Sequence, residues 1–108
     1  MTEPAWWIYL LDCDGRLYTG ITLDPQRRLS EHVSGGRRAA RFTRPARIIT
    51  LRYCIEIGSR SAALRAEHRL RRLPRAQKLA LIDEAPDTDV LLARLGIGAD
   101  ADAPGAGR

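Results

Sequence analysis

Five side chains of this chain carry chemistry by type and spacing: Tyr9, Tyr18, Arg28 ten residues further on, His32 four beyond that, and Glu67. Arg28 offers a planar, permanently charged fork that matches phosphate oxygens. A tyrosine is an awkward base, with an unperturbed pKa near ~10 that nearby cations would lower. His32 brings an imidazole, the side chain whose charge changes near neutral pH. Glu67 brings a carboxylate of the kind that holds Mg²⁺ or Mn²⁺ through oxygen. Phosphodiester cleavage needs an activated water, neutralised phosphoryl oxygens and help for the leaving oxygen, and this set can supply all three. Plainer readings stand beside it. The tyrosines can be a cross-strand aromatic pair, Arg28 and His32 a solvated helix edge, and Glu67 half of a buried ion pair with an arginine such as Arg28.

The elements that must position these groups are legible nearby. Apolar runs Trp6–Leu11 and Leu17–Ile21 flank Asp14-Gly15. Asp-Gly between alternating apolar residues predicts a two-residue hairpin loop, because both residues tolerate φ > 0. Cys13 then pairs with Arg16, Leu11 with Tyr18 and Tyr9 with Gly20. Ile8, Leu10, Leu17, Thr19 and Ile21 share the face that reads as core. Trp7, Tyr9, Leu11, Tyr18 and Gly20 share the other, with Gly20 leaving open space above the Tyr9 ring for a ligand. Asp24 is an N-cap and Pro25 the first turn of a helix that stops at Gly35-Gly36. On that helix Arg28 and His32 stand directly beside Leu29 and Val33, expected as a buried pair.

Further along, Arg37, Arg38, Arg41, Arg44 and Arg47 surround Phe42 on a segment that Pro45 keeps out of a helix interior. A loop of this composition suits phosphate contact with base stacking, and a solvated loop is the plainer account. The run 48–57 predicts a third strand with Ile49, Leu51, Tyr53, Ile55 and Ile57 on one face. Gly58 ends it, and Ser59 or Ser61 caps a helix over 62–73. Ala63, Ala66, Leu70 and Leu73 form the inward stripe of that helix, and Glu67 falls inside it, where a carboxylate requires compensation. His68 points away and reads as a surface residue. A helix from Pro74-Arg75 to about Ile82 turns Leu79 and Ile82 inward. A last one over 89–95, capped by Asp87 or Thr88, covers the core with Val90, Leu91 and Leu95. The expected class is α+β, a small three-stranded antiparallel sheet flanked by helices.

Trp7-Ile8-Tyr9, Tyr18-Thr19-Gly20, Arg28, His32 and Glu67, taken together, resemble the GIY-YIG nuclease superfamily, and most of all its small stand-alone bacterial YhbQ-like members. The similarity runs from about Trp6 to about Ile82. It implies a metal-dependent DNA endonuclease or exonuclease, selective for structure or ends and linked to repair or recombination. By the same resemblance Glu67 is the single metal ligand, Arg28 meets the scissile phosphate, Tyr9 is the base or water-orienting group with Tyr18 beside it, and His32 relays protons or touches phosphate. Arg27 joins the arginine loop as a DNA contact. Trp7 stands where the naming motif has its first glycine. The alternative reading is a weakly catalytic nucleic-acid-binding module, or a small subunit that docks its acidic C-terminal helix on a repair protein.

At 108 residues there is room for one domain, expected over 1–95 with its core about 6–82, followed by a disordered tail over 96–108. The charge is uneven. Residues 1–82 hold 16 Lys/Arg and 7 Asp/Glu (16 − 7 = +9), whereas 83–108 hold 2 and 6 (2 − 6 = −4). A basic body favours polyanions, above all DNA. Ala5–Leu11 is too short to span a membrane and lacks the basic flank of an export signal. Cys13 and Cys54 form no CxxC pair, so two reduced thiols in a cytoplasmic protein are expected.

Overall fold

A computed structural model describes residues 4–34 and 46–98. Its elements are β1 (Trp6–Cys13), β2 (Arg16–Thr22), α1 (Pro25–Ser34), β3 (Ile49–Gly58), α2 (Arg60–Arg71), α3 (Arg75–Glu84) and α4 (Thr88–Arg94). Asp14 and Gly15 make the hairpin turn with φ of 55° and 93°, and the pairing is the one expected, Cys13 with Arg16, Leu11 with Tyr18 and Tyr9 with Gly20. Asp14 also fastens the hairpin tip to the start of β3. Its carboxylate accepts the Arg47 and Ile48 backbone N–H groups, each at 2.8 Å. Those two bonds hold the Asp14 carboxyl below its usual range.

The sheet is antiparallel with the order β2-β1-β3, so β1 is central and both of its faces are covered. Ile8 and Leu10 join Tyr53, Ala66, Leu70, Leu81, Leu91 and Leu95 in a core closed by α2, α3 and α4. Tyr9, Leu11 and Cys13 are equally buried on the opposite face, with Leu29 of α1 packed on them. The expectation of a single core face is therefore corrected: a central strand flanked by helices on both sides has no solvent side.

The face assignment of β3 is corrected too. Leu10 pairs with Tyr53 but Leu11 with Leu51, so a β-bulge skips Arg52 and reverses the alternation. Ile49 packs on the Tyr9 face and Ile55 on the other. On α1, Val33 is 60% exposed and His32 takes the buried place, because the helix turns its His32–Leu29 side to the sheet. In α3 the buried residue is Leu81, and in α4 Leu92 replaces the exposed Val90. Ile97 is buried as well, so the core reaches past the expected start of the tail.

Caps define the helices. The carboxylate of Asp24 accepts from Arg27 N–H at 3.2 Å, Ser59 Oγ from Ala62 at 3.1 Å and Asp87 Oδ1 from Val90 at 3.2 Å. The corner between α3 and α4 is tied to β3 by the Tyr53 hydroxyl, which donates to the Pro86 carbonyl at 2.6 Å. Arg69 donates to the Leu95 and Gly96 carbonyls and closes the C-terminus of α4.

Candidate active site

Gly20 determines where Tyr9 can lie. A Cβ on Gly20 would stand 2.3 Å from the Tyr9 hydroxyl oxygen and 2.4 Å from Cζ. The ring therefore crosses β2 through the gap that glycine leaves. The open space expected above Tyr9 is filled by Tyr9 itself, because the strands pair closely enough for the ring to lean onto its partner.

From α1, His32 enters the same layer and is fully buried, with Nε2 3.0 Å from the Tyr9 hydroxyl. Tyr18 closes the group: its ring centroid lies 6.3 Å from that of Tyr9 and 5.3 Å from that of His32. Both contacts are tilted, the favoured arrangement for aromatic rings. Burial, then the neighbouring Tyr18, push the Tyr9 hydroxyl up to about 12 against the pull of Arg28; Glu67 adds a smaller push. Burial and then the Arg28 cation bring His32 down to about 4. At neutral pH the resting pair is thus a phenol and a neutral imidazole sharing one proton.

Arg28, four residues before His32, is close enough to Tyr9 to hydrogen-bond its oxygen. Its guanidinium also donates to Glu31 Oε1 at 2.9 Å, and Arg27 meets the other oxygen of Glu31 at 3.4 Å. Glu31 was missed in the sequence, although the i,i+3 and i,i+4 spacings to Arg28 and Arg27 are its signal.

Glu67 is half-buried on α2, next to buried Ala66, and its charge acts on Tyr9. Its place inside the inward stripe of α2 is borne out only in part, since the side chain is half-buried beside Ala66 and Leu70 rather than enclosed with them. Among the described residues it makes no hydrogen bond or ion pair. His68 is exposed, as expected, and sits 3.3 Å from Arg72 Nη1.

Tyr9, Tyr18, Arg28 and His32 are therefore brought together, with Glu67 within electrostatic reach. Arg27 is exposed on α1 beside Arg28, and Arg47 is exposed at the hairpin tip. Arg37, Arg38, Arg41, Phe42 and Arg44 lie outside the described residues.

Residues 5–80 match the model of the GIY-YIG catalytic domain. The chain belongs to the GIY-YIG family. Among its relatives, a UPF0213 protein of Citrobacter koseri is 42% identical over 83% of this chain and 89% of its own length. The UPF0213 protein YhbQ of Escherichia coli is 41% identical over the same shares. One from Halobacterium salinarum is 45% identical over 68% of this chain and 95% of its own. The solution structure of the UPF0213 protein of Bacillus halodurans is 34% identical and covers 73% of this chain and 83% of that one, with a TM-score of 0.47.

In this GIY-YIG chain the tripeptides 7–9 and 18–20 pair across one hairpin, and the last glycine makes room for the first tyrosine. A divalent metal is what GIY-YIG nucleases use. Among the described residues no three His, Cys, Asp or Glu side chains gather as a cage. The half-buried carboxylate of Glu67, which pairs with no described residue, fits one ligand position of a hard cation, whose other positions water and phosphate would fill. No helix among the described residues is long and apolar enough to cross a membrane.

Proposed function

We propose that the chain is a metal-dependent DNA nuclease that hydrolyses phosphodiester bonds and selects structured or end-containing DNA. The observation that carries this reading is the buried Tyr9–His32 hydrogen bond with Arg28 alongside it. Arg28 puts a permanent cation, able to meet a phosphate, beside the hydroxyl that shares a proton with an imidazole.

A phenol pushed to about 12 is a poor base if it must first become phenolate. The hydrogen bond to His32 removes that requirement. As the Tyr9 oxygen takes a proton from water, the phenolic proton passes to His32 Nε2, and Tyr9 stays neutral throughout. A phosphate drawn to Arg28 would offset the cation that holds His32 low, so substrate itself would raise the proton affinity of the imidazole. Tyr18 would hold the Tyr9 and His32 rings at the angle this relay needs. Glu67 would hold Mg²⁺ or Mn²⁺, which when bound supplies positive charge to the phosphate and the departing oxygen. Arg27, Arg47 and the loop residues Arg37, Arg38, Arg41, Phe42 and Arg44 would track the strand. A place in repair or recombination belongs to the same proposal.

The test is cleavage of single-stranded, duplex, flap and branched DNA with Mg²⁺ or Mn²⁺, set against Glu67→Ala. Metal-dependent cutting that Glu67→Ala abolishes, with DNA binding in EDTA kept, is the expected result. Wild-type cleavage by Glu67→Ala overturns the metal assignment. Binding without turnover on every substrate leaves the chain as a nucleic-acid-binding module.

A further inference from the structure

Beside the tyrosine cluster, Arg28 also lines a second feature, a groove of about 290 Å³ at the open end of the hairpin. That volume is at the small end for ligand sites, the scale of one nucleotide unit. Trp6, Ile21 and Leu23 give it an aromatic and apolar wall. The Arg60 guanidinium lies over the Trp6 ring, 5.6 Å from the centroid, and helps fix the indole in place.

Three cations, Arg27, Arg28 and Arg60, and two carboxylates, Asp24 and Glu31, border this groove. Arg27 and Arg28 face Glu31, which pairs with both, and Asp24, which caps α1 through the Arg27 N–H. With Arg28 at the scissile phosphate, Arg27 and Arg60 are offset by Asp24 and Glu31, so the rest of the groove offers a second phosphate no net attraction. A flat, uncharged group with polar edges would find a ring to lie against and carboxylate, hydroxyl and guanidinium groups at its rim. Thr22 Oγ1, held 3.1 Å from the Asp24 N–H, supplies the hydroxyl.

We infer that this groove takes the nucleobase flanking the scissile phosphate, so that the DNA must be unpaired on one side of the cut. The inference rests on the nuclease reading for its geometry: Arg28 at the scissile phosphate places the next base at Trp6. A base inside a continuous duplex is stacked and cannot enter, whereas one at a flap, overhang or gap can. The groove thereby turns a general phosphate site into one selective for DNA ends and junctions.

The test is a hairpin duplex with a short single-stranded overhang, whose junction fixes where the protein sits. The base is removed at each overhang position in turn, and binding is read by fluorescence anisotropy in EDTA. At one position, base removal should weaken wild-type binding roughly tenfold, and Trp6→Leu should weaken binding to the intact overhang by a similar factor. The two losses should not add, because both delete the same contact. Additive losses, or no loss at any position, overturn the groove assignment. Leu23→Glu, at a position 47% exposed, repeats the cycle with less risk to the fold, and should show the same coupling. The two proposals fail separately. Coupled binding without cleavage keeps the groove and removes the nuclease; cleavage with additive losses does the reverse.

Discussion

The two faces of β1 are buried to the same degree by different chemistry. On one side Ile8 and Leu10 pack into an almost wholly apolar layer under α2, α3 and α4. On the other, under α1, Tyr9 and His32 bury polar atoms that are satisfied by each other. Apolar contacts are non-directional, so the first face constrains volume more than atom identity. A buried hydroxyl and imidazole constrain atoms, because their hydrogen bond works at one distance and angle only. One strand thus carries a face that holds the fold and a face that holds a geometry, and substitutions should separate the two.

The largest separation is expected at Tyr9. Tyr9→Phe keeps the ring across Gly20 and removes only the hydroxyl, so DNA affinity in EDTA should stay near wild type. Cleavage should fall by roughly 10²–10⁴-fold, the usual worth of a positioned acid or base. Undiminished cleavage in single-turnover assays would remove Tyr9 from the chemistry. One residue along the strand, Leu10→Ala should do the opposite. Leu10 is fully buried, and its truncation should cost about 2–5 kcal/mol in urea unfolding. The folded fraction should then cut DNA at the wild-type rate. If Leu10→Ala changes cutting more than stability, the two faces are not separable.

The pH dependence of stability should sharpen the contrast. His32 is held down to about 4 when folded and returns to ~6.5 when unfolded. Between those values the unfolded chain binds a proton that the folded chain refuses, so stability falls as pH drops. From pH 7 to 5 the His32 contribution is about 2 kcal/mol. Unfolding curves at the two pH values should show that loss in the wild type and a smaller one in His32→Gln. Equal losses would mean that the imidazole titrates freely in the folded state.

Much of this was legible in the residues. Asp14-Gly15 set the loop and hence the whole β1–β2 pairing, Asp24 marked one helix start, and of the paired alternatives Ser59 or Ser61 and Asp87 or Thr88 the fold uses Ser59 and Asp87. The spacing of Tyr9, Tyr18, Arg28 and His32 identified side chains that the fold does bring together. Burial on both faces is also present in the sequence, as an apolar run of both parities from Trp6 to Leu11. The bulge at Arg52 has no comparable local sign, because it answers to pairing with β1 rather than to its own neighbours. Gly20 is deceptive for a related reason: a missing side chain looks like empty space until its partner's ring is placed.

Gly20 also offers the smallest and most diagnostic effect. Gly20 has no positive φ that would demand glycine, so Gly20→Ala is not penalised by backbone strain. Reduced freedom of the unfolded chain would by itself favour alanine by about 0.4–1 kcal/mol. Against this stands the new methyl at 2.3 Å from the Tyr9 oxygen and 2.4 Å from Cζ, in a layer where the ring is already buried. Overpacking of that kind costs about 1–3 kcal/mol, so the net loss should be about 1 kcal/mol. Removing the hydroxyl with Tyr9→Phe should relieve little of it, since the ring carbon is as close as the oxygen. Removing the ring with Tyr9→Leu should relieve nearly all, leaving Gly20→Ala neutral or slightly stabilising in that background. A Gly20→Ala penalty that persists in Tyr9→Leu would show that the glycine serves the strand and not the tyrosine. A penalty that vanishes already in Tyr9→Phe would mean that the hydroxyl, and not the ring, fills the gap.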